Sequence, residues 1–104
     1  MINFVFDLDD TLYKVGNVFY NKNLNSLLKK LKLKGNLHIF SNNSRSNGNK
    51  LLKKLKMITL FSDNTVYSSD INHYKPSILA FRSFIDNIYL KNKIIFFENS
   101  LQNL

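Results

Sequence analysis

Three acidic residues that could do chemistry lie close together near the start of this 104-residue chain, at Asp7, Asp9 and Asp10. Side chains alternate along extended backbone, so Asp7 and Asp9 point the same way and Leu8 points away. Two carboxylates about 4 Å apart repel by roughly 4 kcal/mol at an effective dielectric of about 20, so they need a nearby cation or a retained proton. Either arrangement suits catalysis. The structural alternative is a solvated turn, or a helix cap at Asp10.

Other polar residues follow apolar runs later in the chain. They are Ser41 and Asn42 after residues 37–40, Lys75 and Pro76 beyond residues 65–67, and Glu98 and Asn99 after residues 94–97. Pro76 favours a loop-to-helix junction at Lys75, from which the lysine ammonium can reach the acids. Ser and Asn after a strand are also typical of a helix cap or a turn, so the pair at 41–42 has a structural reading too.

The elements that must position these residues are short strands. Apolar runs over residues 2–6, 37–40, 65–67 and 94–97 predict four of them, the last one buried. Each candidate residue therefore lies at or beyond a strand's carboxyl end, which is where open α/β sheets keep their sites. Residues 12–20, with Gly16 and Asn17 in the middle, predict a small hairpin or flap beside the acids.

Helices are predicted between the strands. An amphipathic helix over residues 22–33, ended by Gly35, follows from leucines at helical spacing: Leu24, Leu27, Leu28 and Leu31. A second over residues 50–57 repeats the Leu-Leu-Lys-Lys-Leu-Lys string of residues 27–32. A third starts at Pro76, with an apolar face formed by Ile78, Phe81, Ile85 and Ile88. We therefore expect an α/β fold, a parallel sheet between amphipathic helices.

Four short motifs resemble those of the haloacid dehalogenase-like (HAD) phosphatases, in family order and over the whole chain. Asp7-Leu8-Asp9-Asp10-Thr11 is similar to the first motif, D-x-D-x-T, and Ser41 after a strand to the second. Lys75-Pro76 is similar to the third, and Glu98-Asn99-Ser100 to a fourth motif like that of pyrimidine 5'-nucleotidase-like members. The resemblance implies a three-layer, Rossmann-like domain. The short intervals between the motifs leave no room for a cap domain.

The resemblance also implies roles for these residues. Asp7 would be the nucleophile of a magnesium-dependent phosphomonoester hydrolase and form an aspartyl-phosphate, with Asp9 as general acid and then base. Phosphate-binding residues would be Thr11, Ser41, Asn42 and Lys75. Ligands of Mg²⁺ would be Asp7, Asp9, Glu98 and Asn99. Asn99 stands where the family places an Asp, so the alternative is a non-catalytic module that binds a phosphorylated ligand or a protein.

Composition narrows the class of protein. Fifteen Lys and Arg against seven Asp and Glu give a net charge of +8, which attracts phosphorylated small molecules or macromolecules, including nucleic acid. The lysines of the two Leu-Lys helices predict either a solvated surface or phosphate contacts for a nucleic-acid-directed phosphatase. Without cysteine, disulfides and thiol catalysis are excluded. No apolar run approaches the roughly 20 residues of a membrane span.

These features predict one soluble, cytoplasmic domain over residues 1–104. The chain ends at Leu104, where the family adds another helix and usually a fifth strand, so we expect a C-terminally short domain. The strand at residues 94–97 would then leave apolar surface or a free edge, which favours self-association.

Overall fold

A computed structural model describes residues 2–86 and 93–98. Its centre is a sheet of four parallel strands: β1 (Ile2–Phe6), β2 (Gly35–Ser41), β3 (Thr65–Tyr67) and β4 (Ile94–Phe97). The strand order is β3-β2-β1-β4, so β1 and β2 are central. The four predicted strands and the α/β class are confirmed, and the described residues form no cap domain.

Five helices connect and cover the strands in the described part of the chain. They are α1 (Lys22–Lys32), α2 (Arg45–Lys54), α3 (Ile58–Phe61), α4 (Ser68–Ile71) and α5 (Ile78–Asp86). One face of the sheet packs against α1, α2 and α3, and the other packs against α5. This is the three-layer, Rossmann-like arrangement that we expected. No helix of the described residues is both long enough and apolar enough to cross a membrane.

Alternation along the strands supplies a separate core for each face. In β1, Phe4 and Phe6 join the core under α1 to α3, whereas Val5 joins the core under α5. In β2, Ile39 and Phe40 divide in the same way. Both central strands are therefore apolar on both faces, which is why they read as nearly continuous apolar runs.

The helix α1 forms where its leucines predict, but Gly35 does not end it. Asn21 caps the first turn by accepting a hydrogen bond from the backbone N–H of Leu24 at 3.0 Å, and Leu33 is the C-terminal cap. Gly35 instead begins β2, where a Cβ atom would lie 2.1 Å from the carbonyl oxygen of Ile2. Close approach of two strands, rather than a helix end, requires this glycine.

The helix α2 begins five residues earlier than the predicted start at residue 50. Ser44 caps it, its hydroxyl oxygen accepting a hydrogen bond from the backbone N–H of Asn47 at 3.2 Å. Its first turns have no apolar periodicity, so only the capping serine marks them. The helix ends at Lys54, and a separate short helix, α3, follows at Ile58–Phe61.

The helix α5 begins at Ile78 rather than at Pro76, and its buried face differs from the prediction. Ile78 is 73% exposed, whereas Ala80 and Phe84 are fully buried against the sheet. Phe81 and Ile85 are partly buried, as expected for the predicted face. Ile88, the fourth residue of that face, lies outside the described residues.

Two further local predictions need correction. Residues 12–17 form turns with a single antiparallel bridge, between Lys14 and Asn17, and residues 18–20 are irregular, so no hairpin with two strands forms here. The turn contains Gly16 at φ +90°, a backbone conformation that favours glycine. The strand β4 is only partly buried, because it lies at an edge of the sheet, although Phe97 stacks on Phe6 with ring centroids 4.6 Å apart.

Candidate functional site

Residues of three of the four sequence motifs meet where the strands of the sheet have their carboxyl ends. Asp7 directly follows β1, Ser41 is the last residue of β2, and Glu98 directly follows β4. Because the strands are parallel, their carboxyl ends lie on the same edge. The backbone N–H of Asp7 donates to the carbonyl oxygen of Phe97 at 3.2 Å, which holds the ends of β1 and β4 together.

Lys75 reaches this edge from the loop after α4 and is buried between two carboxylates. Its Nζ lies 3.1 Å from Oδ1 of Asp7 and 2.7 Å from Oε1 of Glu98. The lysine side chain is 1% exposed, that of Glu98 is 2% exposed and that of Asp7 is 12% exposed. The ammonium also donates to the carbonyl oxygen of Phe40 at 2.8 Å. The third motif thus joins the first and the fourth through one cation.

Asn42 holds the backbone of Lys75 in place. Its Oδ1 accepts from the backbone N–H of Lys75 at 2.9 Å, and its Nδ2 donates to the Lys75 carbonyl oxygen at 3.1 Å. Ser68, at the start of α4, donates its hydroxyl proton to the same Oδ1 at 2.6 Å. We predicted Asn42 as a phosphate-binding residue, and in this structure its amide is occupied in fixing the lysine loop.

Asp9 is exposed and has partners of its own. Its Oδ1 accepts a hydrogen bond from the Tyr13 hydroxyl and another from Nδ2 of Asn43 at 3.3 Å. Burial raises the pKa of the Tyr13 hydroxyl, and the hydrogen bond and negative charge of Asp9 raise it further. Tyr13 therefore keeps its proton and acts as a donor to the Asp9 carboxylate.

Asn43 connects Asp9 to Ser41. The Ser41 hydroxyl oxygen, in a residue that is 1% exposed, accepts from the backbone N–H of Asn43 at 3.1 Å and from its Nδ2 at 2.9 Å. The two accepted bonds leave the hydroxyl proton of Ser41 to be donated elsewhere. Our sequence reasoning missed both Asn43 and Tyr13. Their only signals are an amide next to Ser41-Asn42 and an aromatic four residues after Asp9.

Thr11 and Asp10 occupy the turn that follows Asp9. The Thr11 hydroxyl oxygen is buried and makes no hydrogen bond among the described residues, so it does not face solvent where a phosphate would bind. Asp10 is exposed at φ 57°, and its Oδ1 accepts from the backbone N–H of Val15 at 3.0 Å. Asp10 is therefore a turn residue. This agrees with the structural alternative given above, in which the acidic residues form a solvated turn.

No protein-family model matches the chain, and comparison with curated proteins and with solved structures finds no similar one. The resemblance to HAD phosphatases thus rests on four short motifs.

The oxygen donors at this edge fit a divalent cation in kind and in charge. When Asp7, Asp9 and Glu98 are all ionised, their carboxylates outnumber the single ammonium of Lys75 by two negative charges, and Mg²⁺ prefers oxygen ligands. Among residues 2–86 and 93–98, however, no group of three or more histidine or acidic side chains comes together around one point. Asn99, the fourth predicted ligand, lies outside the described residues.

An open cleft adjoins the acidic loop on the side of α1. It has a volume of about 620 Å³ and is lined by Asp10, Thr11, Leu12, Tyr13, Lys14, Asn21 and Leu24. A smaller cavity of about 230 Å³ shares four of these residues and adds Asn17 and Phe19. Tyr13 belongs to both, so the hydrogen-bond partner of Asp9 also forms part of the wall of this cleft.

Proposed function

We propose that the protein is a phosphomonoester hydrolase that works through a phosphoryl group carried on Asp7. The observation that supports this best is the buried Lys75 ammonium, which lies 3.1 Å from Asp7 and 2.7 Å from Glu98. A lysine buried between two carboxylates costs desolvation energy, and a fold core can be built more cheaply from apolar residues. A nucleophile that must face a phosphate gives a reason for the arrangement, because the cation offsets the repulsion between the two anions.

In the first step, a carboxylate oxygen of Asp7 attacks phosphorus in line with the ester oxygen. The bond from phosphorus to the ester oxygen breaks, and the departing oxygen takes a proton from the Asp9 carboxyl. Lys75 holds the Asp7 carboxylate in one orientation through the 3.1 Å contact. Ser41 would donate its hydroxyl proton to a phosphoryl oxygen, since its oxygen already accepts twice from Asn43.

In the second step, the Asp9 carboxylate takes a proton from water, and the water oxygen attacks phosphorus. The bond between phosphorus and the Asp7 oxygen breaks, which releases inorganic phosphate and restores Asp7 as a carboxylate and Asp9 as an acid. Tyr13 and Asn43 hold the Asp9 side chain at the position from which both transfers are made. Asp9 is exposed, so both substrate and water can reach it.

In this proposal Mg²⁺ would be held by Asp7, by the Asp9 main-chain carbonyl and by Asn99, and when bound it supplies positive charge to the transferring phosphoryl group. Glu98 is 2% exposed and occupied by Lys75, so we assign it to holding the lysine. In the absence of a cap among the described residues, the leaving group would extend into the open cleft beside Tyr13 and Lys14. A bulky or macromolecular phosphate fits such a site better than one that must be enclosed.

The test is turnover of an aryl phosphate with Mg²⁺ by wild type, Asp7→Asn and Asp10→Asn. Both variants lose one negative charge from the same loop, but only Asp7 contacts Lys75. We expect Asp7→Asn to lose about 1000-fold or more of kcat/KM, and Asp10→Asn to stay within about threefold of wild type. Equal activity of wild type and Asp7→Asn would refute the proposal that the protein is a phosphatase with Asp7 as its nucleophile. Equal losses in both variants would show that loop charge, rather than a nucleophile, matters.

A further inference from the structure

The excess of positive charge over negative charge lies in one segment of the chain, whose helices cover one face of the sheet. Residues 21–64, which include α1, β2, α2 and α3, carry ten basic residues and one acid, Asp63. The remaining 60 residues carry five basic residues and six acids. A compositional bias toward lysine would spread these residues along the chain, so the asymmetry indicates a surface with a role of its own.

Nine lysines of this segment are exposed, and none forms an ion pair within the described part of the chain. They are Lys22, Lys29, Lys30, Lys32, Lys34, Lys50, Lys53, Lys54 and Lys56. A solvated helix surface normally mixes both signs of charge, which lowers self-repulsion. Here the exposed lysines repel one another without nearby acids to offset them. A bound polyanion would reduce that repulsion, and the release of its counterions would favour binding.

Contacts between α1 and the segment after α2 arrange some of these lysines in a line. Asn25, in the middle of α1, donates to the carbonyl oxygen of Lys56 at 3.2 Å, and Lys32 donates to that of Thr59 at 3.4 Å. Lys22 and Lys29 lie three residues before and four residues after Asn25, on the same side of the helix. We call the line of Lys22, Lys29, Lys32 and Lys56 the basic seam. From Lys22 to Lys32 it extends about 15 Å, which matches about four phosphates of a stacked strand.

Exposed aromatic rings lie at the start of the seam. The Lys56 ammonium is 4.8 Å from the centre of the Tyr20 ring, and Tyr20 is 41% exposed. Its neighbour Phe19 is 64% exposed. The sequence places Tyr20 two residues before Lys22, but it does not show the contact with Lys56, which is 36 positions away. Lysines with accessible rings beside them are the combination that binds single strands, whose bases are free to stack.

We propose that the basic seam binds single-stranded nucleic acid. A lipid surface would need a continuous apolar stripe beside the charges, and α1 does not offer one. Leu27 is the exposed leucine within this helix, and the exposed Leu33 lies beyond its end as the C-terminal cap. Binding at the seam does not depend on the phosphatase proposal, because none of its residues lies at the strand ends with Asp7.

The experiment measures fluorescence anisotropy of a labelled oligothymidylate of about 20 nucleotides that has no terminal phosphate, over a range of salt concentrations. Lys29→Gln/Lys56→Gln removes two charges from the seam. The matched control, Arg82→Gln/Lys93→Gln, removes two exposed charges outside residues 21–64, one in α5 and one directly before β4. We expect binding that weakens steeply with salt, a loss on the order of tenfold for the seam variant only, and a salt slope reduced by about 1.4. Tyr20→Ala should weaken binding by about tenfold, and Lys29→Arg/Lys56→Arg should retain it.

Three results would overturn the proposal. One is binding that is absent or insensitive to salt. A second is an equal loss in the seam and control variants, which would mean that only net charge matters. The third is tighter binding to phosphatidylserine vesicles than to the oligonucleotide. Asp7→Asn protein is expected to bind like wild type, so a failure of the phosphatase proposal and a failure of this one remain distinguishable.

Discussion

At the scale of single residues, Lys75 joins stability to chemistry. Its ammonium is buried with two carboxylates, a backbone carbonyl and the ring of Phe40, whose centre is 5.1 Å away. Removing one member of such a group leaves uncompensated charge in a region of low dielectric. Without the lysine, Asp7 and Glu98 would face each other without a cation between them.

Lys75→Met should therefore lower the free energy of unfolding by about 3–5 kcal/mol, measured by urea denaturation near neutral pH. Asp70→Asn is the matched control, because the Arg45–Asp70 pair is similarly short at 2.7 Å but is exposed. An exposed pair contributes at most about 1 kcal/mol. If Lys75→Met unfolds at the same urea concentration as wild type, the buried charge group does not stabilise the fold.

The hydrogen bond from Tyr13 to Asp9 allows a second prediction at this scale, which rests on the phosphatase proposal. Tyr13→Phe removes only the hydroxyl that orients Asp9. The leaving oxygen of an alkyl phosphate needs a proton, whereas nitrophenolate leaves without one. In Tyr13→Phe, kcat/KM should therefore fall about tenfold for an alkyl phosphate and little for nitrophenyl phosphate. Tyr74→Phe, at a 54% exposed tyrosine, should change neither. Equal losses on both substrates would assign Tyr13 to the fold alone.

At the scale of elements, a glycine in α2 is required by contact with a neighbouring strand. Gly48 lies against the fully buried ring of Tyr67, and a Cβ atom there would be 2.0 Å from a ring carbon. Glycine weakens a helix by about 1 kcal/mol relative to alanine, so helix propensity alone favours alanine. The contact between α2 and β3 reverses that preference.

Gly48→Ala should destabilise the protein by about 1–3 kcal/mol, because the Tyr67 ring or the helix must move. Ser46→Ala, at an exposed position of the same helix, should be neutral or slightly stabilising. Thermal unfolding followed by circular dichroism compares the two. A rise in Tm for Gly48→Ala would mean that helix propensity outweighs the contact.

The elements differ in how far the sequence predicts them. The four strands are predictable because each is a compact apolar run with polar residues directly after it. The start of α2 is not, since its first five residues are Arg-Ser-Asn-Gly-Asn. The glycine among them, Gly48, is required by Tyr67, which lies in a strand 19 residues later. Gly35 misleads in the same way, because its reason is the carbonyl of Ile2 in the neighbouring strand. Contacts between distant segments decide both positions.

At the scale of the whole molecule, His38 links both central strands to α5. Its Nε2 lies 2.9 Å from Oδ1 of Asn3, and its ring is perpendicular to that of Phe84 at 6.1 Å between centroids. Burial lowers the pKa of the His38 imidazole below its ordinary value of 6.5. Between the two pKa values the unfolded chain binds a proton that the folded chain does not, so stability rises with pH in that range.

The free energy of unfolding should accordingly be unaffected by His38 above about pH 6.5. It should decrease progressively as the pH falls below that value. His38→Gln should reduce this slope in urea titrations at several pH values. The same change at His73, the other histidine of the chain, should leave the slope in place. Unchanged pH dependence in His38→Gln would show that the buried imidazole is not its source.

The sequence predicts which residues form the candidate site, but it does not predict the hydrogen bonds that orient them. Asp7, Ser41 and Glu98 stand out because each lies at a strand end, and Lys75 because of the proline after it. The partners that orient them could not be read from the sequence. Asn42 fixes a loop 33 residues away, and Asn43 reaches back 34 residues to Asp9. Such contacts depend on the parallel order of the strands, which periodicity does not specify.

The central claim is that Asp7 carries the phosphoryl group, and trapping that intermediate tests it most directly. Wild-type protein is mixed with an aryl phosphate and Mg²⁺, quenched in acid, digested and examined by mass spectrometry. We predict that the peptide containing Asp7 gains the mass of one phosphoryl group, and that Asp7→Asn protein gains none while Asp10→Asn protein does. Turnover without any labelled peptide, or a label on a residue other than Asp7, would contradict the account.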